Sequence, residues 1–199
     1  MNDSILRKFK DTYEKGIIFN PRSGDEMERA TGHKVPIHRY SELCNLAKKR
    51  DANFLMSFLF KHAPSHIILL QDPSDMNSGH WFSVTMNRKK RDIYFFSTYG
   101  GKPDVEKLQW MKDDDLLESG QDINIFSSGL KSLQDHGWTI HYNDYPYQKP
   151  RDNTAFCGIM TAAFINSNQN PDEFEEFNKN LMKKGVNPVI YYYKKYFQN

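Results

Sequence analysis

The chain is poor in cysteine: its 199 residues include two, Cys44 and Cys157. Two thiols far apart in unlike contexts do not make the disulfide framework that holds small secreted domains together. A chain of this length can bury enough apolar surface to fold without such bridges or a structural metal. We therefore expect both cysteines to be free thiols in a reducing compartment.

Long apolar runs and a strong charge of one sign are also missing. No window approaches the roughly 18 apolar residues of a membrane span, and the first residues contain no apolar stretch of signal-peptide length. The formal net charge of +2 makes no general case for nucleic acid or a membrane as partner. We expect a protein that is not secreted and binds no membrane. Four cationic side chains at 88–91 are interpreted as a solvated hairpin tip, although they are also compatible with a binding site for a polyanion.

Aromatic side chains are plentiful, at 14% of the chain, and the hydrophobic periodicity changes along it. A first helix capped by Asp3 or Ser4 is expected, and then a second one capped by Ser41. The other predicted elements are a helix at 52–60, strands at 66–71, 80–86 and 91–98, helices near 104–112 and 127–135, a strand at 138–142, and helices at 157–167, 171–185 and 188–197. This order predicts the α+β class, with a small central mixed β-sheet flanked by helices. Because no repeat or linker interrupts it, residues 1–199 are treated as one domain.

Cys157 follows a proline-containing loop and opens the predicted helix 157–167. Unpaired backbone N–H groups and the helix dipole favour an anion at that position, so we expect a lowered thiol pKa and a nucleophilic thiolate. Gly158 would leave room for an acyl substrate beside the backbone. A cysteine at a helix start can also be an inert core residue. Cys44, which lies inside a predicted helix, is interpreted as such a core residue.

The stretch GHWFSV, residues 79–84, places a histidine at the start of an apolar strand. His80 is therefore either a satisfied core histidine or a catalytic one. A cysteine hydrolase needs a base for the thiol proton and donors for the developing oxyanion. His80 can supply the first, and Gln148 with the backbone N–H of Cys157 can supply the second. Trp81 is interpreted as a wall of the site, either within the core or lining a groove.

Three motifs in this order resemble those of the adenain/Ulp-like cysteine peptidases: GHW at 79–81, FFSTYGGKP at 95–103 and QKPRDNTAFCG at 148–158. The resemblance runs over about 67–164, roughly half the chain. Within that group the motifs are most similar to the virion-maturation proteases of adenoviruses, virophages and Maverick/Polinton elements. The resemblance implies the adenain/Ulp-like peptidase fold.

The resemblance also implies roles for individual residues. His80 takes the position of the catalytic histidine, Gln148 that of the oxyanion glutamine and Cys157 that of the nucleophile, while Gly79, Trp81 and Gly158 are assigned to substrate binding. The implied substrates are viral capsid or other structural precursors, cut near small residues such as glycine. No cofactor and no metal are expected, and the implied location is the virion and the cytoplasm, viral factory or nucleus of the host cell.

Two departures from the family pattern stand out. The acid of the family lies about seventeen residues after the histidine, where this chain has Ser97. Three alternatives follow: Ser97 acts as a weakened third member, Asp92 replaces it, or a Cys–His dyad operates alone. Asp92 is disfavoured, since five residues of strand separate it from Ser97 by roughly 17 Å. The second departure is TAFCG where the family has TCG, which leaves the oxyanion donor open.

Three other functions are kept as alternatives. A deubiquitinase or deSUMOylase would apply the same chemistry to the Gly-Gly tail of a modifier protein. A Yop-like acetyltransferase shares the His/acid/Cys layout but needs a cofactor pocket. An inactive, capsid-associated homologue would explain Ser97 as a sign of decay, and it predicts an unreactive Cys157.

Overall fold

The computed structural model describes residues 12–50, 52–150 and 154–198. The helices are α1 Thr12–Phe19, α2 Gly24–Ala30, α3 Tyr40–Lys49, α4 Ala52–His62, α5 Val105–Trp110, α6 Asp113–Glu118, α7 Ile125–Asp135, α8 Cys157–Ser167, α9 Pro171–Lys183 and α10 Pro188–Tyr196. The strands are β1 Ile37–Arg39, β2 Ser65–Asp72, β3 Asp75–Asn87, β4 Asp92–Ser97 and β5 Thr139–Tyr142. The helix expected to begin at Asp3 or Ser4 lies largely outside the described residues.

The five strands form one sheet in the order β1-β2-β3-β4-β5. The two inner pairings, β2 with β3 and β3 with β4, are antiparallel, whereas β1 and β5 add to the edges in parallel. The predicted α+β class with a mixed central sheet is therefore confirmed. The cationic stretch 88–91 is the exposed turn between β3 and β4, so its interpretation as a hairpin tip is also confirmed.

Alternate residues of the central strands point to opposite faces of the sheet, as strand geometry requires. On one face, Leu70 and Phe82 join a core formed with α3, α4 and α7. On the other face, Trp81 packs in a cluster with Cys157, and Phe96 stacks on Phe164 of α8. Helix α8 thus lies across the middle of the sheet, and its first residue reaches the backbone of β3 next to His80, which lies within the strand and not at its start as predicted.

Several short elements were not predicted. The strand β1 and the helices α2 and α6 have three, seven and six residues, too few to show a clear period. Helix α3 begins at Tyr40 with Arg39 as the N-cap, so the prediction of Ser41 as the cap is wrong. The hydroxyl of Ser41 is used elsewhere, because it donates to the side-chain oxygen of Gln71 at 2.5 Å.

Candidate active site

His80 lies in β3 opposite Leu70 of β2. The preceding residue, Gly79, has a φ of 150°, a conformation that L side chains rarely adopt. A Cβ atom at Gly79 would lie 2.0 Å from the carbonyl oxygen of Leu70. Glycine is thus required here for the close approach of β3 to β2, whatever part it takes in substrate binding.

The imidazole of His80 points to the end of β4. Its Nε2 lies 2.9 Å from the hydroxyl oxygen of Ser97, which also accepts the backbone N–H of Tyr99 at 3.3 Å. Both His80 and Ser97 are buried. Because a hydroxyl can accept as well as donate, Ser97 can hold His80 in the tautomer that carries its proton on Nε2. The other ring nitrogen, Nδ1, is buried and makes no hydrogen bond.

Asn143 fixes the position of Ser97. Its Oδ1 accepts the backbone N–H of Ser97 at 3.0 Å, and its Nδ2 donates to the carbonyl of Ser97 at 2.7 Å. Asn143 directly follows β5, which pairs with β4 no further than Phe95. Where the pairing of β5 with β4 stops, the Asn143 side chain therefore supplies hydrogen bonds to the backbone of β4 in place of a further strand residue.

Asp92, the alternative third member, lies at the opposite end of β4 from Ser97. It is paired in register with Asn87, whereas Ser97 is paired with Phe82. The Asp92 carboxylate contacts Nε2 of His141 at 3.1 Å. The structure therefore brings Ser97, and not Asp92, to His80.

Cys157 is the first residue of α8, as predicted. Its sulfur accepts the backbone N–H of Trp81 at 3.5 Å. This N–H belongs to the peptide bond between His80 and Trp81, so the sulfur lies against the backbone of His80, the histidine that the sequence analysis assigned to act with Cys157. The structure thus brings Cys157, His80 and Ser97 together from α8, β3 and β4.

The charge states of this group differ from the expectation of a preformed thiolate. Burial raises the pKa of the Cys157 thiol to about 11, although backbone N–H groups of Trp81, Gly158 and Cys157 act to lower it. Burial likewise lowers the pKa of His80 to about 3. The predicted lowering of the thiol pKa is wrong for this closed site, because the loss of hydration outweighs the helix-terminal donors. At neutral pH the pair is a thiol and a neutral imidazole.

Gln148 is buried, and its contacts lie within the loops around the site. Its backbone N–H donates to the carbonyl of Thr98 at 2.9 Å, and its Oε1 accepts the hydroxyl of Thr98 at 3.0 Å. Its Nε2 donates to the carbonyl of Thr154, three residues before Cys157. Since an amide nitrogen carries two N–H groups, this bond uses one of them. In this structure Gln148 connects the loop before Cys157 to the turn after β4.

Trp81 and Gly158 are covered by Arg22, which precedes α2, and by Met27 within α2. The indole N–H of Trp81 donates to the carbonyl of Arg22 at 2.9 Å. A Cβ atom at Gly158 would lie 3.0 Å from both Cβ of Arg22 and the sulfur of Met27. The space expected for an acyl substrate beside Gly158 is thus filled by two side chains of the same chain, and Trp81 is part of the core in this structure.

Sequence reasoning missed four residues that contribute to the site. Asn143 directly follows a predicted strand, and Tyr99 lies two positions after Ser97 in a motif from which only Ser97 was considered. The covering side chains of Arg22 and Met27 had no signal in the sequence. Cys44, by contrast, fits its interpretation as core: it is buried, and burial raises its thiol pKa to about 12.

In the part of the chain that the structure describes, no group of three His, Cys, Asp or Glu side chains is arranged to hold a metal ion. Among the same residues, no helix combines the length and apolar character needed to cross a bilayer.

No protein-family model matches the chain, and no curated protein matches it. Among solved structures the chain is similar to the SUMO protease Ulp1 with its catalytic cysteine oxidized to a sulfinic acid, at 14% identity over 82% of this chain and 72% of that chain, with a TM-score of 0.36. In the match to Ulp1 with the cysteine oxidized to a sulfonic acid, the chain spans 61% of that protein, at 12% identity and a TM-score of 0.35. The Chlamydia abortus effector protein ChlaDUB matches at 15% identity over 70% of this chain and 61% of that chain, with a TM-score of 0.30.

Proposed function

We propose that this protein is a cysteine endopeptidase in which Cys157 is the nucleophile and His80 the general base and acid. One observation carries the proposal: the sulfur of Cys157 lies against the peptide bond of His80, whose Nδ1 is left without a hydrogen bond while Nε2 contacts Ser97. A nucleophile, a base next to it and a third group that orients the base are what covalent acyl transfer requires.

In this structure Nδ1 of His80 makes no hydrogen bond, so it is not bonded to the sulfur of Cys157. In the first half of the reaction the ring and the thiol must approach each other, and the thiol then gives its proton to Nδ1 of His80 as the sulfur attacks the scissile carbonyl carbon. The S–C bond forms, and the carbonyl oxygen takes the negative charge. Backbone N–H groups at the start of α8 are directed at the sulfur and are suitable donors for this oxyanion. The C–N bond then breaks, and His80 returns the proton to the leaving amine, which leaves a thioester on Cys157.

In the second half water resolves the thioester. His80 takes one proton from the water while the oxygen attacks the thioester carbon, and the C–S bond breaks with release of the carboxylic acid product. The proton on His80 returns to the sulfur. Because the resting pair is neutral, His80 acts as a true base in both halves, and its orientation by Ser97 matters in both.

We propose further that the substrates are capsid or other structural precursor proteins of a virus, cleaved near small residues such as glycine, in the virion or the infected cell. This finer assignment is supported by three motifs that resemble those of virion-maturation proteases, GHW, FFSTYGGKP and QKPRDNTAFCG, the last two with one departure each. A peptide that occupies the space beside Gly158 must displace the side chains of Arg22 and Met27. Because Cys157 is buried, the proposal requires the covering residues to move when substrate binds.

The test compares wild type with Cys157→Ala on the candidate capsid precursor and on fluorogenic peptides with glycine before the scissile bond. Cys44→Ala is the matched control, because it removes the other thiol, which is also buried. We expect cleavage by wild type and Cys44→Ala and none by Cys157→Ala. Absence of any cleavage that depends on Cys157 overturns the proposal.

Two further substrates separate the alternatives. Preferential cleavage of ubiquitin-type or SUMO-type fluorogenic substrates would replace the viral substrate assignment while keeping the peptidase chemistry. Binding of acetyl-CoA with transfer of its acetyl group to a peptide would instead indicate an acetyltransferase. An intact protein that does none of these would be the inactive homologue.

A further inference from the structure

The ring of Tyr99 is stacked on the ring of His80. The ring centroids are 3.9 Å apart, and the planes differ by 10°. Tyr99 follows β4 by two residues, and its backbone N–H donates to the hydroxyl of Ser97 at 3.3 Å. The same short turn therefore supplies both the hydroxyl at Nε2 and the aromatic face that covers the imidazole.

This stacking is unusual for two neutral rings. Neutral aromatic pairs prefer offset or edge-to-face arrangements with centroids 4.5–7 Å apart, because their negative faces repel each other. A face-to-face contact at 3.9 Å becomes favourable when one ring carries a positive charge, since the face of the phenol ring attracts a cation. The resting imidazole is neutral, so this contact becomes more favourable when His80 takes up a proton.

Among the groups shown to contact His80, none carries a negative charge that could stabilise a protonated ring. These are the Ser97 hydroxyl from β4, the Tyr99 ring from the following turn and, beside its own peptide bond, the thiol of Cys157 from α8. Ser97 stands where a carboxylate would carry a full negative charge. Within the described residues, no charged side chain contributes to the pKa of His80.

We propose that Tyr99 is a positioning residue for His80: its π face stabilises the imidazolium that forms during the reaction and so replaces part of what a carboxylate would supply. The inference rests on the proposed function, because the charge appears when the proton of Cys157 moves to Nδ1. It disappears again when that proton passes to the leaving amine. The contact is therefore strongest when His80 is charged, which stabilises the transition state more than the ground state.

The first test is a series at position 99. Tyr99→Phe keeps the face and removes the hydroxyl, whereas Tyr99→Leu removes the face. Replacement of Tyr99 by pentafluorophenylalanine keeps an aromatic shape but reverses the charge distribution of the ring, which guards against a Leu variant that folds poorly. We expect kcat/KM close to wild type for Phe and a loss of about tenfold for Leu and for the fluorinated ring.

The second readout is the titration of His80 by NMR, which does not depend on peptidase activity. It is measured in a Cys157→Ala and Ser97→Asp background, where the added carboxylate brings the His80 transition into the range in which the protein stays folded. The fluorinated ring and Tyr99→Leu should lower the His80 pKa relative to Tyr99 and Tyr99→Phe. An equal His80 pKa across the series overturns the role of Tyr99, even if the protein proves to be a peptidase. If wild type shows no activity, the proposed function fails. The titration by itself still tests whether the Tyr99 ring stabilises the charged form of His80.

Discussion

Asn143 holds the peptide groups of Ser97 on both sides, accepting its N–H at 3.0 Å and donating to its carbonyl at 2.7 Å. The hydroxyl oxygen of Ser97 in turn lies 2.9 Å from Nε2 of His80. The orientation of His80 thus depends on a side chain that lies outside all three motifs. Removal of that side chain should affect both stability and rate.

We expect Asn143→Ala to lower the free energy of unfolding by about 2 kcal/mol, because it leaves the buried N–H of Ser97 without a partner and removes one of two N–H donors to its carbonyl, the other being the backbone N–H of Gly100. Urea unfolding followed by tryptophan fluorescence measures this change. Asn143→Asp is the matched control, since it keeps an acceptor for the N–H and loses the donor, and it should fall between Ala and wild type. A loss below about 1 kcal/mol for Asn143→Ala would contradict the assigned contacts.

Ser97→Asp should leave kcat/KM intact or raise it. A carboxylate within hydrogen-bond distance of Nε2 stabilises the imidazolium and raises the pKa of His80. Ser97→Asn, similar in shape but neutral, is the control and should give no such increase. A collapse of the rate in Ser97→Asp, with the fold intact by circular dichroism, would show that the hydroxyl itself is needed.

Alkylation of Cys157 by iodoacetamide should be slow at pH 7 and become about tenfold faster for each pH unit up to pH 9. The reason is that the thiolate reacts, and burial places the thiol pKa at about 11, far above this range. The rate is measured by mass spectrometry in Cys44→Ser protein, so that one thiol remains. A rate that levels off below pH 8 would mean that the thiolate forms more readily, as an ion pair with His80.

The protein should lose stability in weak acid because of His66. Its Nε2 contacts the carbonyl of Ala63 at 3.1 Å and its Nδ1 contacts Nε2 of His38 at 3.1 Å, and the ring is buried away from the water that would stabilise its charged form. Burial lowers the pKa of His66 from 6.5 to about 4, and repulsion from His38 adds to the effect.

In the folded protein His66 therefore stays neutral until the pH falls to about 4, whereas in the unfolded chain it takes up a proton near pH 6.5. The stability from His66 is fully present above pH 6.5 and is lost as the pH falls to about 4, by about 3 kcal/mol. Urea unfolding at pH 7 and pH 4 should show a smaller acid-induced loss for His66→Gln than for wild type. His33→Gln, at an exposed histidine, is the control and should behave as wild type. Equal losses in all three proteins would argue against the role of His66.

The longer elements could be predicted because their periodicity is written into the chain. The strands β2 and β4 and the helices α8 and α9 appear within about two residues of their predicted ends, with α8 beginning at Cys157 as expected. The short β1 could not be predicted, since three residues carry no period, and it exists because it pairs with β2. Helix α3 starts one residue earlier than predicted, because the hydroxyl of Ser41 bonds to Gln71 instead of capping the helix.

The sequence by itself determined which side chains are available for the chemistry: a cysteine opening a helix, a histidine on a strand, and a serine where the motif that it resembles has an acid. The sequence also disfavoured Asp92, because a strand places it far from Ser97, but only the tertiary structure decided that Ser97 meets His80. It also decided the charge states. Residues distant in sequence, Arg22 and Met27, pack against Gly158 beside the buried sulfur. Desolvation then outweighs the effect of the helix start on the thiol pKa, and burial of this kind depends on the whole fold.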